Sequence, residues 1–177
     1  WITARGERVQ KDDGVVARGY VRDITEQKRH ERQLTELNWT TRRLLTAESE
    51  AEVADIGVEA ASDVLDVQVS AIELADGEHT ELVPAAQTGA FESAVGDVQP
   101  LPVADSIAGQ VYHEGESAVV DNVEQNPDAH DREAGLEGHR YLPLADHGVL
   151  LAGSDERPFD DQNHALLELL AGSVAAA

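Results

Sequence analysis

The sequence predicts an α+β fold: an antiparallel sheet with helices on its faces, preceded by a β-hairpin and a connecting helix. Three observations predict it. Periodic segments follow one another as helix, helix, hairpin, helix, strand, hairpin, helix. Asp76-Gly77 and Asp146-His147-Gly148 are turn signals between strand-like runs, so neighbouring strands fold back antiparallel. Ser49 with Glu52, and Ser106 with Gly115, bracket helices with start and stop chemistry.

The first segment, residues 1–25, reads as two strands around Lys11-Asp12-Asp13-Gly14, where Gly14 can take the positive φ of a tight hairpin. Val15, Ala17, Gly19 and Val21 alternate on one face of the second strand. A lone hairpin is marginal in water, so the rest of its domain is expected to precede Trp1. The missing initiator Met and the Ala-rich end likewise suggest an excised segment.

A connecting helix is expected over residues 26–47, opened by Asp23 and Glu26 and free of Gly and Pro. Gln27, His30, Leu34, Leu37, Thr41 and Leu44 fall at spacings of three and four, a weak coiled-coil seam. Leu34, Leu37 and Leu44 are its candidate dimer and signalling positions.

The third part, residues 48–177, carries the sheet. Behind the Ser49–Glu52 capping box, Val53, Ile56, Gly57, Ala60, Ala61 and Val64 form a small apolar helix face. Strands follow at residues 67–74 and 80–86, then a loop over residues 87–102. Asp105 or Ser106 caps a short helix with Ile107, Ala108, Val111 and Tyr112 inward and Gly115 as its left-handed stop. A strand at 117–121, a polar stretch to Gly138, and strands at 140–144 and 149–153 come next. Asp160 caps the last helix, whose stripe is Leu166, Leu167, Leu169, Leu170 and Val174.

Thirty-five acidic residues against thirteen basic ones give a net charge of -22. Such self-repulsion is relieved by concentrated salt, and a salt-rich cytoplasm is the expected setting. A basic face for phosphate is lacking, so this segment is not expected to bind nucleic acid directly. No apolar run approaches the roughly 20 residues needed to span a bilayer, so no membrane is expected either. The absence of cysteine excludes disulfides, thiolate metal sites and cysteine nucleophiles.

Two stretches resemble known families. DDGVVARGYVRDITEQKRHERQL resembles the last strand and exit helix of PAS domains. SEAEVADIGVEAASDVLDVQVSAIELAD, DSIAGQVYHEGESAVVDNVEQNP and RYLPLADHGVLLAGSDERPFDDQNHALLELLAGSVA together resemble a complete GAF domain. The arrangement in so acidic a chain is similar to sensor regions of haloarchaeal regulators of the bacterio-opsin activator type. The resemblance implies a non-catalytic sensory module in signal transduction or transcription regulation. Such a module binds an unidentified small molecule and relays the change through its terminal helices, as a homodimer through them. The alternatives are a ligand-free GAF domain acting as a dimerisation spacer, the input region of a histidine kinase, and a small enzyme.

Family chemistry can be tested against the residues. Bilin attachment and methionine-sulfoxide reduction depend on cysteine in this family, and there is none. The Asn-Lys-Phe-Asp-Glu signature of cyclic-nucleotide binding is not matched around Asp121-Asn122. His30-Glu31 lacks the proline of a kinase phosphoacceptor and simply continues a helix. His130, Asp131, Glu133 and His139 lack the spacing of an established metal site and read as an exposed polar loop. No catalytic residue, metal site or cofactor is assigned. In the resembled family the ligand lies between one sheet face and the irregular segment, here about residues 91–140. Ile107, Val111, Tyr112, Asp121, Asn122 and Tyr141 are then the candidate lining, each open to the plainer reading of core packing or turn capping.

Overall fold

The computed structural model describes residues 1–11, 14–96, 98–121, 138–154 and 161–177. Chain contacts divide it into two units, Trp1–Glu36 and Leu37–Ala177. In the first, β1 (Ile2–Lys11) and β2 (Gly14–Asp23) pair antiparallel in an unbroken register from Ile2 opposite Asp23 to Lys11 opposite Gly14. The helix α1 (Thr25–Leu44) begins directly after it, and the Asp23 carboxylate accepts from the Thr25 backbone N–H at 2.8 Å. That bond satisfies one of the orphan donors every helix start leaves, as the sequence predicts. Trp1, Ile2, Tyr20 and Val21 of the hairpin are exposed.

In the second unit the elements run α2 (Glu50–Leu65), β3 (Val69–Ala75), β4 (Glu81–Gln87), α3 (Gly89–Val95), β5 (Leu101–Pro102), α4 (Ile107–Glu114), β6 (Ala118–Asp121), β7 (Gly138–Pro143), β8 (Gly148–Ser154) and α5 (Asp161–Ala175). The strands form one antiparallel sheet in the order β5-β4-β3-β8-β7-β6. The period of two along a strand sends alternate side chains to opposite faces. Thus Leu142, Leu150, Ala152 and Ile72 meet α2 and α5 on one face, while Tyr141, Val149, Leu151 and Ala71 meet α4 and Phe91 of α3 on the other.

The capping box of α2 is real: the Ser49 hydroxyl accepts from the Glu52 N–H at 3.2 Å. The Glu52 carboxylate reaches back to the N–H of Glu48, one residue before the expected donor. Buried Ile56, Gly57, Ala60 and Ala61 make the α2 face that the spacing predicts. Gly57 is required by proximity, since a Cβ there would stand 2.7 Å from Ile72 Cδ1 and 3.0 Å from Val174 Cγ2.

Three expectations change. Residues 89–95, read as loop, form α3, capped by Thr88, whose hydroxyl accepts from the Phe91 N–H at 3.2 Å. Leu101–Pro102 add the short edge strand β5. Leu169 is 55% exposed, because the 100° step of a helix sets it away from the stripe of Leu166, Leu167, Leu170 and Val174.

Candidate functional site

The face of the sheet under α4 is where the family resemblance implies a ligand. Ser106 starts α4 twice over: its hydroxyl accepts from the Gly109 N–H at 3.0 Å and donates to the Pro102 carbonyl at 2.7 Å. Gly115, at φ 69°, ends it in the left-handed conformation expected. Between them Gly109 lies against the chain at Val103, where an added Cβ would fall 2.0 Å from the carbonyl oxygen. The helix is therefore held at backbone contact, turning Ile107, Ala108 and Val111 toward the sheet.

Ile107, Val111 and Tyr141 come together there as buried members of one cluster with Phe91, Leu82 and Leu151. Tyr112 packs against its border. Asp121 ends β6, paired with Gly138 of β7. Asn122 lies outside the described residues, as do His130, Asp131, Glu133, Phe159 and Asp160. The fourth residue of the rejected metal set, His139, is fully buried on β7 and shares the α4 side with Tyr141, two residues on. Its Nδ1 stands 3.5 Å from the Tyr141 hydroxyl, and the two rings meet edge to face at 6.0 Å. His139 as part of this wall was missed by the sequence reading; the i, i+2 relation to Tyr141 was the available signal. Among the described residues no group of three or more His, Cys, Asp or Glu could hold a metal ion.

At the border, the Tyr112 hydroxyl bonds the backbone carbonyl of Asp146 at 3.2 Å and meets Nδ1 of His79, whose ring stacks on the phenol at 6.2 Å. Burial, with Asp146 and then Asp76 nearby, raises the phenol's pKa above its ordinary 10.0. One side chain of α4 thus ties the β3–β4 turn to the β7–β8 turn. Among the described residues, cavities also lie elsewhere. One, of about 610 Å³, runs beside β4 and α3 along Pro84, Ala86, Glu92 and Val98. Another, of about 590 Å³, opens between the first turn of α2, the last turn of α5 and the two hairpin turns.

Of the candidate dimer positions, Leu37 and Leu44 are buried in the core shared with α2 and α5, whereas Leu34 is 42% exposed. Thr41 adds a hydroxyl contact to Ser173 of α5 at 3.3 Å, and Arg43 pairs with Glu59 of α2 at 2.7 Å. The Leu37-to-Leu44 stretch of the connecting helix is therefore a structural part of the sheet-bearing unit.

The family model for the GAF domain matches residues 47–177. The chain belongs to the GAF domain family. GAF domains are sensory and regulatory modules of signalling proteins. Among solved structures, the GAF domain from a phosphoenolpyruvate-protein phosphotransferase of Coxiella burnetii is 20% identical, covering 83% of this chain and 92% of its own at a TM-score of 0.69. The nlh2 GAF domain of A. aeolicus in an inactive state is 16% identical, covering 84% and 96% at a TM-score of 0.65. The free methionine-R-sulfoxide reductase of Neisseria meningitidis in complex with its substrate is 20% identical, covering 79% and 84% at a TM-score of 0.65. At such identities the likeness shows a shared GAF fold. No curated protein matches the chain. No described helix is long and apolar enough to cross a membrane.

Proposed function

We propose that this GAF domain is a non-catalytic input module that takes a small molecule on the α4-covered face of its sheet and relays the change to its terminal helices. The observation that carries the reading is the pair His139 and Tyr141, polar side chains buried beside Ile107 and Val111 on an otherwise apolar wall. Binding sites of this kind combine an apolar surface with a few placed polar groups. Strands β3, β7 and β8 present that wall on one side and touch α2 and α5 on the other, so a guest that favours one strand arrangement biases the helices. This chain has no cysteine and so no thiol for thiol-dependent sulfoxide reduction.

The hairpin and the start of α1 are read as the end of a PAS domain, and the charge of -22 as adaptation to a saline cytoplasm, in the manner of haloarchaeal regulators. Exposed Leu34, Trp39 and Leu45, and Leu169 on α5, support homodimerisation through the terminal helices. A transcription regulator or a histidine kinase would suit as parent.

A thermal-shift screen of metabolites in molar KCl tests the ligand. A compound that raises the melting temperature of the wild type, and loses that effect in Tyr141→Phe or Val111→Trp, supports the reading; a screen without a stabilising compound removes it. A second reading, the ligand-free spacer, is favoured by the tight burial of Phe91, Ile107 and Val111. Xenon-induced NMR shifts at those residues count against the spacer, because a filled wall has no void to admit the gas.

A further inference from the structure

The cavity between the first turn of α2 and the last turn of α5 lies on the helix-covered face, away from the α4 wall. Its apolar lining is offered by the half-buried Ala47, Val53, Leu74 and Ala175, over the closed core of Ile72, Leu144 and Val174. Glu48, Glu50, Asp76 and Asp146 line it together with His79 and His147, whose Nε2 stands 3.5 Å from the Asp146 carboxylate, and neither Lys nor Arg lines it. At about 590 Å³ it falls in the range of small-molecule sites.

We propose that this cleft is a second binding site, for an organic cation with an apolar body. Two features support that chemistry. The half-buried Val53, Leu74 and Ala175 side chains offer a surface that a fully hydrated metal ion cannot use but a hydrocarbon body can. The mouth holds negative charge in fixed places: the Asp76 carboxylate accepts from the Thr80 and Glu81 N–H groups at 2.8 and 3.2 Å, which anchors it at the turn. Those donors also keep its carboxyl below the usual range, so it stays ionised. An ammonium at the mouth gains attraction while its body covers the apolar lining, and an anion of the same shape is repelled.

The site has a built-in consequence for the other face. The cleft lining includes His79 and Asp146, the two residues that the Tyr112 hydroxyl meets. A guest wedged between the hairpin turns therefore acts on the tether that holds the end of α4.

The test uses phenethylammonium as probe, with 2-phenylethanol and hydrocinnamate as neutral and anionic counterparts. Amide NMR spectra are followed on the whole chain at about pH 8, above the ordinary imidazole range, in the lowest KCl that keeps it folded. The expected result is that phenethylammonium shifts the amides of Val53, Ala75, Gly77 and Val174 saturably, and that the alcohol binds about fivefold or more weakly. Asp146→Asn, at an exposed position, weakens the ammonium about threefold with an unchanged reference spectrum. Equal binding of alcohol and ammonium overturns the proposal. So do shifts spread over the whole acidic surface, or concentration-dependent shifts at the cleft without probe, which mark a second copy as its occupant. Shifts at Val111 and Tyr141 alone overturn it too, while leaving the α4-face reading standing.

Discussion

The Tyr112 hydroxyl bonds the Asp146 carbonyl 34 residues away, joining the end of α4 to the turn between β7 and β8. Removing the hydroxyl leaves the Asp146 carbonyl and His79 Nδ1 to water and keeps the phenyl ring in place. Tyr112→Phe is expected to cost about 1 to 2 kcal/mol, the ordinary net worth of the two hydrogen bonds that the hydroxyl makes. Hydrogen exchange should rise at Gly115 and His147 and stay unchanged in α2. The raised phenol pKa has a sign of its own: its contribution is complete below 10.0 and is lost as the pH climbs through the higher folded value. Wild-type stability should therefore fall in strong alkali, and the Phe variant should lack this component.

Gly109 allows α4 to lie on Val103 at backbone distance. A methyl group 2.0 Å from the Val103 carbonyl oxygen has no flexible side chain to push aside. Gly109→Ala is expected to destabilise by roughly 2 to 4 kcal/mol, despite alanine's better helix propensity. Gly77→Ala, where nothing lies within 4 Å, is the matched control and should change little. Urea unfolding in molar KCl separates the two.

Asp76 organises the β3–β4 turn through the N–H groups of Glu81 and Thr80, and these bonds lower its pKa from 3.8. A depressed carboxyl contributes fully above the unfolded value and loses its contribution as the pH falls through the folded one. The loss should therefore begin as the pH drops toward 3.8 and continue below it. Carbon NMR titration of the Asp76 carboxyl checks the shift directly. Asp76→Ala should flatten this acid limb and loosen His79, whose N–H bonds the Asp76 carbonyl at 3.0 Å.

A net charge of -22 on 177 residues makes repulsion a general cost of compactness. Raising KCl from about 0.1 M to 1 M shortens the screening length from about 10 to 3 Å. The melting temperature should rise steeply over that interval and then level. A melting temperature independent of salt would contradict this account.

Local chemistry explains what was legible in the sequence. Ser49, Ser106 and Gly115 act within one helical turn, so their side chains or their permissive backbone announce the helix ends without help from distant residues. α3 was hidden because it is short: Phe91 and Val95 make a single i, i+4 pair, and one pair gives no period. Thr88 was the missed signal, a hydroxyl three residues before the N–H it caps. Leu37 and Leu44 share a helix face with the expected seam, and spacing alone cannot say whether that face meets another chain or, as here, the chain's own α2 and α5. For the candidate lining, Ile107, Val111 and Tyr141 converge because strand and helix periods both turn them inward. His139 escaped notice because its neighbourhood in sequence is polar, and its burial depends on strand pairing with Val120 and Gly153.

The strand order β5-β4-β3-β8-β7-β6 consists of two local meanders stitched together down the middle by β3 and β8. Each half pairs strands that follow one another in the sequence, but the seam matches Val69 with Gly153, far apart along the chain. Loop-closure entropy makes that encounter the slow one, so the seam is expected to set the refolding rate. Until it forms, both inner strands offer bare hydrogen-bonding edges to neighbouring molecules. The abundance of carboxylates then has a kinetic use as well: it keeps half-folded chains apart while the middle of the sheet is still open.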